Sequence, residues 1–312
     1  MPLTLEQYAD HLDARKDLPW PAPPVAVPVK ARPHLVRLPG VRAVLWNVYG
    51  TLLAIPLGEL VFEHPQPFIM TNALEKTIQE FKMWGSMSRK PGQPSEYLSQ
   101  VYAQLLAEMR AVPAGSSERH PEVSAEKLWE AIVKRLIQKE YRFDAALYGA
   151  LNEFSRKVAY FFHASLQGTA CYEGAADALR HVARAGLEQG LLGDGQCFTP
   201  VQLGRGLRAQ GGGPVPGLCF LSHEYRGRKP SERLFRKTME ALQARGIAPA
   251  EVLHVGSRIA QDLAPARRAG MRTALFAGDK TSLQATAEQL KDPATKPDVL
   301  LTELSQIAEV VG

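Results

Sequence analysis

The chain has 312 residues, enough for one large domain or two modest ones. Its hydrophobic fraction of 45% is that of an ordinary globular protein, and no apolar run is long enough to span a bilayer. The formal charge of +5 is spread among acids without a Lys/Arg block, which points away from nucleic acid and leaves a small anionic molecule compatible.

Residues 1–37 read as a separate extension. In "LTLEQYADHL", Thr4 and Gln7 have the spacing of a capping box, which predicts a short helix. "PWPAPPVAVPVKARP" follows, and proline fixes φ and removes backbone donors, so this stretch is expected to be extended. It reads as a docking segment for a protein partner, or as an arm on the core or a loose tail; the last two are favoured. The N-terminus carries acids and lacks the apolar centre of a signal peptide, so a cytoplasmic location is the expectation. Cys171, Cys197 and Cys219 are odd in number and match no zinc or disulfide spacing, so they read as small core fillers.

From Val41 the pattern changes. Six short apolar runs, "AVLWNVY", "GLEQGLLG", "GLCFLS", "EVLHVG", "RTALFA" and "PDVLLT", predict buried strands. After residue 171, stretches of helical period such as "AADALRHVARAG" and "SERLFRKTMEALQARG" separate them. Alternation of this kind predicts a doubly wound parallel sheet, an α/β Rossmann-type core. Residues 55–170 break the alternation. In "SAEKLWEAIVKRLIQ", Leu128, Ile132, Val133 and Leu136 recur at helical spacing. The expected organisation is therefore an α/β core over 38–54 and 171–312, with an inserted helical cap over 55–170. "AVPAGSSERHPE" interrupts the cap as a polar loop.

Open α/β sheets bind ligands at the carboxyl ends of their strands. Asn47 and Tyr49 follow the first run, on one face. Gly193, Asp194 and Gly195 end the second. Lys229 stands before Pro230 and a helix. Ser257 follows the fourth full strand, with Asp262 five residues on. Asp194, between two glycines, fits either a turn or a carboxylate facing a pocket. Asp262 fits either a ligand or the acidic start of a helix. His64, His163, His223 and His254 show no ligand spacing. Arg89 and Lys90 fall on the cap side, where a contact with an anion or plain solvation would suit them.

These strand ends resemble the motifs of the haloacid dehalogenase superfamily, aspartate-nucleophile phosphatases and dehalogenases. "NVYGTLL" is similar to the first motif, "GRKPSERLF" to the third with its lysine, and "VGSRIAQDLAPARRAGMRT" to the fourth; "CYEGAADALRHVARAG" resembles the return from cap to core. The resemblance covers roughly residues 41 to 310. It implies a nucleophile at position 47, a charge-neutralising Lys229, a hydroxyl at position 193, a cradle of Gly50, Thr51, Gly193, Gly195 and Ser257, and Asp262 at a Mg²⁺ site. The chain departs from the pattern at three of these positions. Asn47 replaces the nucleophilic aspartate, Gly193 replaces the hydroxyl residue, and Ser257 replaces an acid. Tyr49 and Ser257 are of the dehalogenase type, but that branch also needs the carboxylate.

The expected function is a hydrolase-like protein, catalytically impaired, with a pocket for a phosphorylated or carboxylated small molecule. Mg²⁺ binding is expected to be weak or absent, with no other cofactor. The alternatives are an active hydrolase using a substitute carboxylate such as Asp194, or a non-enzymatic interaction protein.

Overall fold

The structure is a computed structural model and describes residues 1–87, 93–111, 116 and 118–312. The segment with Arg89 and Lys90, and part of the polar loop at 111–122, lie outside the described residues. Among the described residues, no helix is long and apolar enough to cross a membrane.

The chain opens with helix α1 (Leu5–Asp13), started by the capping box of Thr4 and Gln7. Strand β1 (Ala43–Trp46) is buried along its whole length, as a central parallel strand covered on both faces must be. A tight loop follows, in which the Val48 carbonyl accepts N–H bonds from Leu52 and Leu53, each at 2.9 Å. Gly50 sits in this loop at φ +80°, and a Cβ there would lie 2.8 Å from the Cβ of Ser282. Both facts require glycine. Strand β2 (Leu53–Ala54) then leads out of the sheet.

The helical segment holds α2 (Pro67–Glu80), α3 (Pro94–Arg110), α4 (Ala125–Ile137), α5 (Ala145–Tyr148) and α6 (Leu151–Leu166). Leu128, Ile132, Val133 and Leu136 of α4 are buried, as their spacing predicts. The core of this unit is aromatic, with Tyr102, Trp129, Phe154, Phe161 and Phe162 fully enclosed. Strand β3 (Ala170–Cys171) returns the chain and pairs antiparallel with β2.

The chain then alternates through α7 (Ala175–Arg184), β4 (Glu188–Gly193), α8 (Thr199–Ala209), β5 (Leu218–Leu221), α9 (Ser222–Tyr225), α10 (Glu232–Gln243), β6 (Val252–Gly256), α11 (Ala264–Arg268), β7 (Arg272–Phe276), β8 (Val299–Leu301) and α12 (Ile307–Val310). The six long strands form one parallel sheet in the order β5-β4-β1-β6-β7-β8. Each of the six apolar runs supplies one of them. α7, α8 and α12 pack on one face and α10 and α11 on the other. This is the doubly wound α/β architecture, and its order reverses at β1, so the crevice lies at the carboxyl ends of β1 and its neighbours.

The N-terminal extension lies on the folded body. Tyr8, Ala9 and Leu12 of α1 are buried in the aromatic cluster of the helical unit. Further along, His34 and Leu300 exchange backbone hydrogen bonds of 2.9 Å at the edge strand β8. The three cysteines are free and half-buried. Burial pushes the Cys171 thiol up to about 12, as suits a packing residue rather than a nucleophile.

Candidate active site

At the end of β1 the Asn47 side chain is 3% exposed and every polar atom on it is engaged. Its Oδ1 accepts from Lys229 Nζ at 2.8 Å. Its Nδ2 donates to the Tyr49 carbonyl at 2.8 Å and to Thr51 Oγ1 at 3.2 Å. The orientation follows from the partners. An ammonium only donates, so it must meet the amide oxygen, and a carbonyl only accepts, so it must meet the amide nitrogen.

Lys229 also ion-pairs with Oδ1 of Asp262, a residue with no exposed surface. The second oxygen of Asp262 accepts from the backbone N–H groups of Ser257 and Arg258, each at 3.0 Å. Burial alone would raise the Asp262 carboxyl, but Lys229, then His254 and the hydrogen bond from Lys229, hold it below the usual carboxylate range. Asp262 thus closes the loop after β6 and neutralises Lys229. His254, on β6, is buried, with Nδ1 bonded to the Leu45 carbonyl at 3.1 Å. Burial lowers its pKa to about 4, so the ring is neutral.

On the other side of β1 stands Asp194. Its Oδ1 accepts from the backbone N–H of Lys229 at 2.7 Å. Burial raises its carboxyl, and the nearby Lys229 and Arg228 only partly offset this. Close by, Glu122 accepts from Ser222 Oγ at 2.5 Å. Burial, then the charge of Asp194, pushes Glu122 up to about 7. Gly193 ends β4 directly opposite the amide, and a Cβ there would lie 2.7 Å from Asn47 Oδ1. Positions 193 and 47 are therefore coupled, because the carboxamide oxygen occupies the space a larger residue would need.

Asn47, Tyr49, Asp194 and Lys229 line one small cavity of about 20 Å³, roughly the room of a single water. The remaining candidates lie around it. Thr51 bonds Asn47 from the loop. The Ser257 hydroxyl is buried and has no hydrogen-bond partner among the described residues. Gly195 is turned away, its N–H bonded to Ser222 Oγ at 3.1 Å. Tyr49 touches the cavity, but its hydroxyl points elsewhere, to Thr199 Oγ1 at 2.9 Å and Gln202 Oε1 at 2.5 Å. Burial raises that phenol well above its usual range.

The cavity has four further lining residues that motif reading misses: Glu59, Leu60, Arg228 and Arg258. Arg258 is 6% exposed and pairs with Glu59 at 3.1 Å while donating to the Gly58 carbonyl. Arg228 reaches Glu59 at 3.6 Å. Arg228 had a visible signal, since it adjoins Lys229. Glu59 and Arg258 meet only through the fold, across 199 positions of sequence. Glu122 falls in a stretch that reads as a polar loop.

The residues present do not fit Mg²⁺. Asn47 brings no charge, and its Nδ2 already occupies the Tyr49 carbonyl. Both oxygens of Asp262 are committed to Lys229 and the loop backbone. Among the described residues, no group of three His, Cys, Asp or Glu side chains is placed to hold a metal ion.

Residues 227–307 match a family model described as HAD-hydrolase-like, which takes in Lys229, Ser257 and Asp262. A comparison with curated proteins finds no match. Solved structures similar to this chain include a defluorinating L-2-haloacid dehalogenase, at 17% identity and a TM-score of 0.45, covering 88% of this chain and 98% of that one. An L-2-haloacid dehalogenase from Xanthobacter autotrophicus with chloropropionic acid covalently bound is 19% identical, with a TM-score of 0.43 and coverage of 86% and 97%. A HAD phosphatase from Thermococcus onnurineus is 16% identical, with a TM-score of 0.45 and coverage of 86% and 96%.

Proposed function

We propose that this chain, HAD-hydrolase-like over residues 227–307, is a superfamily member whose nucleophile has become a structural carboxamide, leaving little or no hydrolytic turnover. The double engagement of Asn47 carries the proposal. Its oxygen neutralises no charge and is held by Lys229, and its nitrogen is held by the Tyr49 carbonyl. A neutral, fully bonded amide cannot attack phosphorus or carbon. Loss of a nucleophile of this kind lowers turnover by on the order of 10⁴ to 10⁶.

The rim keeps the chemistry of an anion site. Lys229, Arg228 and Arg258 bring three cations to one cavity. A phosphorylated or carboxylated small molecule is the ligand class that suits them. At about 20 Å³ the cavity admits such a ligand only when the wall of Glu59 and Leu60 gives way.

The test is turnover of an aryl phosphate and a 2-haloacid by the full chain, with and without Mg²⁺, alongside calorimetry with Mg²⁺. The expected result is no turnover above an Asn47→Ala control and no micromolar Mg²⁺ binding. Robust wild-type turnover overturns the proposal.

A second reading, hydrolysis through Asp194, is favoured by one observation: this carboxyl lines the same cavity and burial raises its pKa. It requires turnover that disappears in Asp194→Asn and survives in Asn47→Ala.

A further inference from the structure

The chain passes between the sheet and the helical unit at residues 55–66 and 167–169, and the two units also meet where Gln196 bonds the Ala125 N–H and the Val123 carbonyl and where Ser222 donates to Glu122. Two neighbouring connections make a hinge. The N-terminal extension adds a further attachment, and it spans the same seam.

Its first part holds the helical unit. Tyr8 packs against Phe81 and Tyr148 with ring centroids at 6.3 and 5.9 Å. Arg15 pairs with Glu80 at 2.7 Å, and Trp20 stacks edge-on against Phe161 at 5.4 Å. The opposite face of α1 meets the sheet unit, where Asp10 pairs with Arg208 at 2.9 Å and Asp13 pairs with Arg205, both on α8. The later part is stitched to the sheet unit. The Val27 N–H donates to Asp279 at 3.0 Å, and the Lys280 N–H donates to the Val27 carbonyl at 2.8 Å. The pair of backbone bonds between His34 and Leu300 completes it.

Between these anchors the extension crosses the return connection at Gly168, where a Cβ would lie 2.3 Å from the Pro21 carbonyl oxygen. The preceding residue, Gln167, is buried and ties the two connections together. Its Nε2 donates to the Pro56 and Glu59 carbonyls at 2.8 and 2.9 Å, and its Oε1 accepts from the Val61 N–H at 2.9 Å. Glu59 and Leu60 form one wall of the cavity. A continuous set of contacts thus runs from the extension through Gly168 and Gln167 to that wall.

We infer that residues 1–37 act as an intramolecular strap that holds the helical unit down on the sheet and keeps the Asn47–Lys229 cavity shut. The hold is asymmetric. Exposed ion pairs such as Asp10–Arg208 contribute little, so the apolar burial of Tyr8 and Leu12 fixes one end and the backbone bonds at β8 fix the other. Loss of the apolar end releases the strap while the other end stays attached.

The experiment is amide hydrogen exchange on the full chain and on two variants. Tyr8→Ala/Leu12→Ala detaches α1. Gly168→Ala pushes the extension off the return connection and leaves α1 intact. In both, exchange at residues 55–62 and 166–170 should quicken roughly tenfold or more, while β1, β4 and β6 keep their protection. Unchanged protection at the two connections in both variants overturns the inference. So does loss of protection throughout the sheet, which would make the extension part of the common core rather than a strap.

Discussion

The rim of the sheet has two halves that differ in electrostatics. On the β1–β6 side, Asn47, Lys229 and Asp262 saturate one another, and every charge has an opposite within bonding distance. On the β4–β5 side, Asp194 and Glu122 lie near each other with no ion pair among the described residues, and burial raises both carboxyls. One half is closed and structural. The other holds two raised carboxyls, of which Glu122 is pushed up to about 7. The half around Asn47 is a closed knot of hydrogen bonds, and the adjoining half holds two carboxyls without an ion pair among the described residues.

The largest effect should come from cutting the closed half. Lys229→Met leaves Asp262 buried and unpaired, which should cost about 3–5 kcal/mol in denaturant unfolding. Lys229→Met/Asp262→Asn should regain part of that loss. Equal damage in both variants would mean that the lysine matters for packing alone.

A smaller effect should appear where the halves meet. Gly193→Ala drives a methyl against the amide oxygen and should cost about 1–3 kcal/mol. In Asn47→Ala/Gly193→Ala the clash is gone, so the double variant should be more stable than the sum of the two losses. Strict additivity would show that the two positions are independent.

The mildest test concerns the open half. Glu122 binds its proton more tightly in the folded state, at about 7, than at its ordinary 4.5. Its contribution to stability is therefore full below the lower value and is lost as pH rises through the upper one. Melting temperatures from pH 5 to 8 should decline less steeply in Glu122→Gln than in the wild type. Parallel profiles would show that Glu122 does not titrate in this range.

Much of this architecture was legible in the sequence. The six apolar runs are the six strands of the sheet, because parallel strands buried on both faces need continuous apolar residues. Asn47, Asp194 and Lys229 meet because strand ends converge at one edge. What the sequence hid depends on contacts rather than pattern. Tyr49 stands at a motif position, yet its hydroxyl leaves the cavity for Thr199 and Gln202, a choice made by helix α8. Arg258 and Glu59 pair across the seam with no local signal. The sequence of the extension predicts a short helix on an arm or a loose tail, and the aromatic core of the helical unit that buries Tyr8 and Leu12 is a contact with no local signal.

The most direct test of the central claim, that the nucleophile became a structural amide, is to restore the carboxylate. Asn47→Asp places an oxyanion beside Lys229 and removes the donor that occupies the Tyr49 carbonyl. Turnover of an aryl phosphate and a 2-haloacid would be compared for wild type, Asn47→Asp and Asn47→Asp/Ser257→Asp, with and without Mg²⁺. The account predicts an inert wild type, partial activity in the single variant, and Mg²⁺-dependent phosphate hydrolysis in the double variant. Wild-type turnover equal to that of the variants would contradict it. So would folded, phosphate-binding variants with no turnover at all.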